Sequence, residues 1–239
     1  TLEQGKPVRE AKLEVLAAAD TYDWYAEEGR RNYGRLVPGR TPTQRIAVHH
    51  EPVGVCAAFA PWNFPAITPA RKIAGALAAG CTLVLKPAEE TPATAQELVR
   101  ALHDAGLPAG VLNMVFGVPS DVSGYLLDQP TVAKFSFTGS TAVGKMLASQ
   151  AAKSMKRATL ELGGHAPVIV WKDADINKAA DALVAGKFRN AGQVCISPTR
   201  FYVHRQVFDA FVEAFVARGR TLKVGNGLDD APRVGRLGS

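Results

Sequence analysis

Short apolar runs rich in β-branched residues alternate with segments of helical period, and no other feature constrains the fold of this chain so tightly. The runs lie at 54–60, 82–86, 111–116, 133–137, 167–171 and 200–204; the helical segments lie at 66–79, 93–105, 120–127, 142–152 and 176–188. Strands joined through helices pair in parallel, because a crossover must carry the chain back to the same end of the sheet. The pattern predicts an α/β fold with a doubly wound, mostly parallel sheet. In such sheets ligands bind outside the carboxyl ends of the strands. Several of these runs end on Gly, Pro or Thr where a helix begins.

Two stretches break the alternation. Residues 10–31 read as one long amphipathic helix. Residues 33–52 hold Pro38-Gly39 and Thr41-Pro42, then an alternating run at 44–49, and read as a β-hairpin excursion. A last helix is expected over 205–223, running into Gly225-Asn226-Gly227 and a polar tail with no closing element. The expected divisions are a main α/β domain of 1–33 with 53–164, a hairpin segment of 34–52, and the start of a second α/β domain over 165–239.

Composition excludes several classes. The hydrophobic fraction of 47% and charged fraction of 21% suit a globular chain with a buried core. No apolar run reaches the roughly 18 residues of a membrane-crossing helix, so no membrane partner is expected. Thr1-Leu2-Glu3-Gln4-Gly5-Lys6 has no apolar signal core, which points to the cytoplasm. The net charge of +6 comes from scattered Lys and Arg without an aromatic-interleaved stripe, so no nucleic-acid partner is expected. The cysteines are Cys56, Cys81 and Cys195, an odd set without close pairs, and neither a disulfide framework nor a metal site is expected. Cys56 and Cys81 sit in apolar runs and read as buried strand residues.

Cys195 is different, because Asn190-Ala191-Gly192-Gln193-Val194 precedes it and Ser197-Pro198 follows it. A cysteine by itself is most often a small hydrophobe. A polar loop or helix start is where a thiolate can form instead. Glu161 stands before Gly163-Gly164, a pair that permits close backbone approach. A solvated Glu at a strand end is the plainer reading of it. Asn63 lies within Pro61-Trp62-Asn63-Phe64-Pro65, where a turn Asn is equally ordinary. Together, a thiol, a carboxylate and an amide supply a nucleophile, a proton mover and an oxyanion donor for acyl chemistry.

Other segments suit an anion. Gly139-Ser140-Thr141-Ala142-Val143-Gly144-Lys145 follows a strand and opens a helix, so its N–H groups could face a phosphate or simply cap the helix. It falls short of a P-loop, since Met146 stands where Ser or Thr would bind a metal, and no G-x-G-x-x-G occurs. Lys86-Pro87-Ala88-Glu89 closes another strand. Arg71 follows Asn63 by eight residues and Arg189 precedes Cys195 by six. The plain reading makes both ion-paired surface arginines; beside a thiol pocket, two guanidiniums suit a carboxylate.

These segments, Pro61-Trp62-Asn63-Phe64-Pro65, Phe137-Thr138-Gly139-Ser140-Thr141, Glu161-Leu162-Gly163-Gly164 and the Cys195 stretch, resemble the aldehyde dehydrogenase superfamily, over essentially the whole chain. The resemblance implies a Rossmann-like dinucleotide-binding domain in 1–33 and 53–164, a bridging and oligomerisation hairpin in 34–52, and an incomplete catalytic domain in 165–239. It implies Cys195 as nucleophile, forming a thiohemiacetal and then a thioester, Glu161 as general base and Asn63 as oxyanion donor. It implies cofactor contacts at Ala60, Pro61, Trp62, Lys86, Ala88, Glu89, Gly117, Phe137, Thr138, Gly139, Ser140, Val143, Leu162 and Gly163. With Lys86 and Glu89 on the adenosine ribose, the Glu89 carboxylate repels a 2′-phosphate, so NAD is favoured and NADP remains possible. Succinate-semialdehyde dehydrogenases resemble the chain at Arg71 and Arg189, which implies an acidic semialdehyde substrate such as succinate semialdehyde. His165 departs from the commoner Asn, and Arg236 stands where Pro is usual. The family's second cofactor carboxylate and final oligomerisation strand are expected beyond Ser239, so a partial chain of a homodimer or homotetramer is expected. A non-redox thiol acyltransferase or hydrolase, and an inactive dinucleotide-binding fragment, stay open as alternatives.

Overall fold

The computed structural model describes residues 1–229 and 234–238; the rest of the expected tail, 230–233 and 239, lies outside the described residues. In chain order the elements are α1 (Val8–Gly29), β1 (Arg35–Pro38), β2 (Arg45–Val48), β3 (Val55–Phe59), α2 (Ile67–Ala78), β4 (Thr82–Lys86), α3 (Pro92–Asp104), β5 (Leu112–Met114), α4 (Pro119–Asp128), β6 (Val132–Gly139), α5 (Thr141–Ala152), β7 (Arg157–Leu162), β8 (Val168–Val170), α6 (Ile176–Phe188), β9 (Phe201–Val203) and α7 (Phe208–Arg220), with short 3-10 turns at Arg189–Gly192 and Arg205–Val207. The chain divides into two compact units, Glu14–Glu161, and Thr1–Leu13 with Leu162–Ser239.

In the first unit five strands form a sheet in the order β5-β4-β3-β6-β7. β3 pairs in parallel with β4 and β6, and β4 with β5. The chain winds outward from β3 through β4 to β5, then returns to place β6 on the other side of β3. That reversal opens a crevice at the carboxyl ends of β3 and β6. Alternate residues of the strands serve opposite faces. Cys56, Ala58, Leu83 and Leu85 pack with Ile73 of α2, against Tyr22 of α1 and Val99 and Leu102 of α3. On the other face Phe59 and Phe135 meet with ring centroids 6.3 Å apart. The doubly wound sheet read from the alternation is therefore the one observed.

β7 is an addition to the sequence reading, which had no run at 157–162. Arg157-Ala-Thr-Leu-Glu-Leu alternates polar and apolar residues and is mostly exposed, as an edge strand allows. The hairpin forms as expected, β1 pairing antiparallel with β2 from Arg35↔Val48 to Pro38↔Arg45.

In the second unit β8 pairs in parallel with β9, and α6 packs on α7. Phe201, Phe211 and Phe215 form an aromatic cluster with centroids 5.5 to 6.4 Å apart. The expected 205–223 helix is shorter, a 3-10 turn and then α7 ending at Arg220. Its tail is not without closure, because Val224 bridges Val234. Residues 1–13 group with this unit rather than with 53–164: the Val8 N–H donates to the Gly227 carbonyl at 2.9 Å. No helix among the described residues is long and apolar enough to cross a membrane.

Candidate active site

The crevice in the first unit is a cavity of about 560 Å³. The loop after β3 contributes Ala60, Pro61 and Trp62, and the end of β4 contributes Lys86, Ala88 and Glu89. The end of β6 contributes Phe137, Thr138 and Gly139, and α5 adds Val143. Ten residues expected from the sequence to hold a cofactor thus converge on one cavity. They converge because strands in a parallel sheet all present their carboxyl ends on the same side.

Local chemistry shapes each wall. Lys86 is buried, donates to the Pro87 carbonyl at 3.1 Å and pairs with Glu89. A Cβ on Gly139 would press into the Phe137 ring, which would have to shift to admit any other residue. Ser140 caps α5, its hydroxyl accepting from the Val143 N–H at 3.3 Å. Ser140 and Gly117 do not line the cavity. Gly117 has φ +149 just before α4, where a Cβ would press on Val122.

The sequence reading missed Phe59, Glu90, Pro119, Ser120, Ser123, Met146 and Leu147 in the lining. For α5 a signal existed: positions 143, 146 and 147 share a helix face, and Val143 was already chosen. For α4 none did, because only the tertiary packing turns it toward the cavity.

Asn63 is half-buried in the loop before α2. That helix has no cap from its own N-cap residue, Ala66. Glu14 serves instead: its Oε1 accepts from the Ala66 N–H at 2.7 Å and the Ile67 N–H at 3.2 Å. A carboxylate there also complements the helix dipole. Arg71 and Lys72 follow on α2, Arg71 exposed and Lys72 half-buried.

Lys72 was not foreseen. Its Nζ donates to Ser136 Oγ at 2.9 Å. Burial pushes its ammonium down to about 8; the Glu161 carboxylate opposes that shift and Lys134 adds to it. Glu161, exposed near the end of β7, therefore lies within electrostatic reach of a partly desolvated cation.

Leu162, Gly163, Arg189 and Cys195 belong to the second unit. Among the three cysteines Cys195 is exposed, whereas Cys56 and Cys81 are buried. Burial pushes the Cys56 thiol up to about 11, with Cys81 adding to the rise. Cys195 follows a turn of unusual backbone: Asn190, Ala191 and Gly192 have φ of 49°, 56° and 80°. Arg189, on the same turn, is exposed. His165 pairs with Thr199, its Nδ1 2.9 Å from Thr199 Oγ1. Among the described residues no group of three His, Cys, Asp or Glu is placed to hold a metal.

Known proteins match over the same residues. The model of the aldehyde dehydrogenase family covers residues 1–239. A putative 4-(hydroxymethyl)benzenesulfonate dehydrogenase of Comamonas testosteroni is 52% identical over all of this chain and 50% of its own length. A succinate-semialdehyde dehydrogenase [NADP(+)] of Escherichia coli is 49% identical over 99% of this chain and 49% of its own. The crystal structure of an NADP-dependent enzyme of E. coli superposes with a TM-score of 0.98 at 49% identity, over 99% of this chain and 49% of that one. The chain spans about half the length of the curated relatives it matches.

Proposed function

Because the chain belongs to the aldehyde dehydrogenase family, we propose that it carries the dinucleotide site and the nucleophile of an NAD(P)-dependent enzyme oxidising an acidic semialdehyde. The observation that carries this reading is the cavity at the carboxyl ends of β3, β4 and β6, where ten expected cofactor contacts meet. Its volume lies in the range of small-molecule sites, and its glycine corner beside Phe137 keeps the wall free of a Cβ. Ala60, Pro61 and Trp62 would line the path of the dinucleotide, Lys86 and Glu89 would hold its adenosine ribose, and the start of α5 would face a pyrophosphate. Leu162 and Gly163 would meet the nicotinamide end.

In the reaction proposed, the Cys195 thiolate adds to the aldehyde carbon. The Asn63 side-chain amide and the Cys195 N–H donate to the oxygen as it takes up charge. A bound nicotinamide supplies the acceptor for the departing hydride. Glu161 takes a proton from the water that cleaves the Cys195 thioester, releasing the acid and the free thiol. Lys72 lies within electrostatic reach of Glu161, whose carboxylate works against the burial that lowers the Lys72 ammonium. Arg71 and Arg189 supply two guanidiniums for the distal carboxylate of the substrate. NAD is the favoured cofactor through Glu89, against the NADP named for the E. coli relatives. The whole protein is proposed to assemble as a homodimer or homotetramer, for which the exposed hairpin with Leu36 and Ile46 is a candidate contact.

The test follows reduced-nicotinamide absorbance in the whole protein, with NAD and NADP, comparing succinate semialdehyde with butanal in wild type, Arg71→Ala and Arg189→Ala. A charge-assisted hydrogen bond contributes about 1.5–3 kcal/mol, so the wild type should prefer the semialdehyde, and each mutation should erode that preference through KM. Equal use of both aldehydes would overturn the acidic substrate. Release of acid from a thioester of the same acyl group, with no reduced nicotinamide formed from either aldehyde, would favour the non-redox thiol hydrolase.

A further inference from the structure

At its end, α6 gives way to a turn that runs against backbone preference. Its C-cap, Arg189, has φ −52° and ψ 133°, and the Arg189 N–H makes the last helical bond, to Ala185. The next residues, Asn190 (φ 49°, ψ 37°) and Ala191 (φ 56°, ψ 27°), are left-handed, and Gly192 continues at φ 80°. Two consecutive side-chain-bearing residues in this region persist only where the surroundings over-determine them. Ala191 has no side-chain polar group with which to repay the strain.

The surroundings can be named. Asn190 is 1% exposed, and its N–H, released from the helix ladder, donates to Glu10 Oε2 at 2.8 Å. Asn190 Nδ2 donates to the Gln193 carbonyl at 3.3 Å, and Gln193 Nε2 returns a bond to the Asn190 carbonyl at 2.9 Å. The Gly238 N–H donates to Gln193 Oε1 at 2.8 Å. Glu10 stands out in this web. It arrives from the first turns of α1, and its carboxylate makes the charge-assisted bond, the stronger kind.

We propose that Glu10 is a positioning residue, whose carboxylate holds the left-handed turn 190–192 and so sets the direction in which the chain presents Cys195. The inference rests on the reading of Cys195 as nucleophile. Without the acceptor, the Asn190 N–H loses a partner in a buried place and the turn is free to relax toward right-handed backbone. Cys195, two residues past Gln193, then leaves its position.

The experiment compares Glu10→Ala, Glu10→Gln and the double variant Glu10→Ala/Ala191→Gly in the whole protein. Each is measured for kcat, KM, dinucleotide affinity and the rate of Cys195 alkylation by iodoacetamide. Misplacement of a reacting group costs about ten- to a hundredfold, so Glu10→Ala should lower kcat in that range with dinucleotide affinity unchanged, and should change the alkylation rate in step. Glu10→Gln keeps an acceptor oxygen and should restore most of the rate. Ala191→Gly removes the cost of left-handed backbone and should recover part of the loss in the double variant. Wild-type kcat and alkylation in Glu10→Ala would overturn the proposal, as would a Glu10→Gln variant as impaired as Glu10→Ala. Should Glu10→Ala fail to fold, the Glu10→Gln rates and the double variant decide in the same way. Alkylation of Cys195 that leaves wild-type turnover intact would overturn the nucleophile reading instead, while the alkylation-rate ratio still reports the hold of Glu10 on the turn.

Discussion

The cavity at the carboxyl ends of the strands and the Cys195 turn are built on opposite plans. The cavity is walled by strand ends and helix starts, and none of its lining residues has positive φ. Its shape follows from the parallel sheet. The Cys195 turn departs from regular backbone at three successive residues and is held by bonds from Glu10 and Gly238, near the two ends of the chain. A binding cavity can be made by the sheet alone, since many small contacts share the work. A nucleophile, as proposed for Cys195, needs one atom aimed, and in that reading the strained turn and its specific supports would aim it.

Variants that separate the two regions test this contrast, and the largest effect belongs to the turn. Cys195→Ala should remove aldehyde oxidation by several orders of magnitude while leaving dinucleotide affinity within a few-fold. Iodoacetamide should label exposed Cys195 well ahead of Cys56, whose thiol burial pushes up to about 11, and of buried Cys81. Equal labelling of all three would erase the distinction.

Next in size is Glu161→Gln, expected to slow thioester hydrolysis by about 10²–10⁴-fold. Stopped-flow absorbance should then show a burst of reduced nicotinamide before a slow steady state. A wild-type steady-state rate would return Glu161 to the role of a solvated edge-strand residue.

On the cavity side, Gly139→Ala places a Cβ against the Phe137 ring. Overpacking of this kind costs about 1–3 kcal/mol. Calorimetry should show weaker dinucleotide binding, and Cys195 alkylation without cofactor should stay at the wild-type rate. A change in alkylation with no change in binding would invert the contrast.

The smallest effect is a pH dependence. Lys72 is pushed from 10.5 down to about 8 in the folded chain, chiefly by burial. Between those values the unfolded chain binds more protons, so this group makes stability rise with pH across that window. Below about 8 the buried charge costs its full amount. Wild type minus Lys72→Met in denaturant midpoint should therefore increase from pH 7 to 10. A flat or falling difference would place Lys72 in solvent.

The physical range of each signal explains what could be read in the chain. The run 82–86 and the helix 176–188 match β4 and α6 end to end, because their period and caps are local: Asp175 caps α6 by accepting from the Asn177 and Lys178 N–H groups. β7 escaped notice because this edge strand carries polar side chains at alternate positions and forms no apolar run. The tail was read as open because its bridge, Val224 to Val234, joins residues ten apart without an alternating run.

The sequence by itself determined the winding of the sheet, the hairpin, and which Gly-, Pro- and Thr-bearing strand ends would meet, since strand direction follows from local period and crossover length. The tertiary structure alone decided the second-wall residues Ser123 and Leu147, the depressed ammonium of Lys72, the trans cap of α2 by Glu14, and the left-handed turn held by Glu10. Each of these depends on a partner distant in sequence, 180 residues away for Glu10 and Asn190. No local preference of Asn-Ala-Gly encodes a carboxylate that only folding brings beside it.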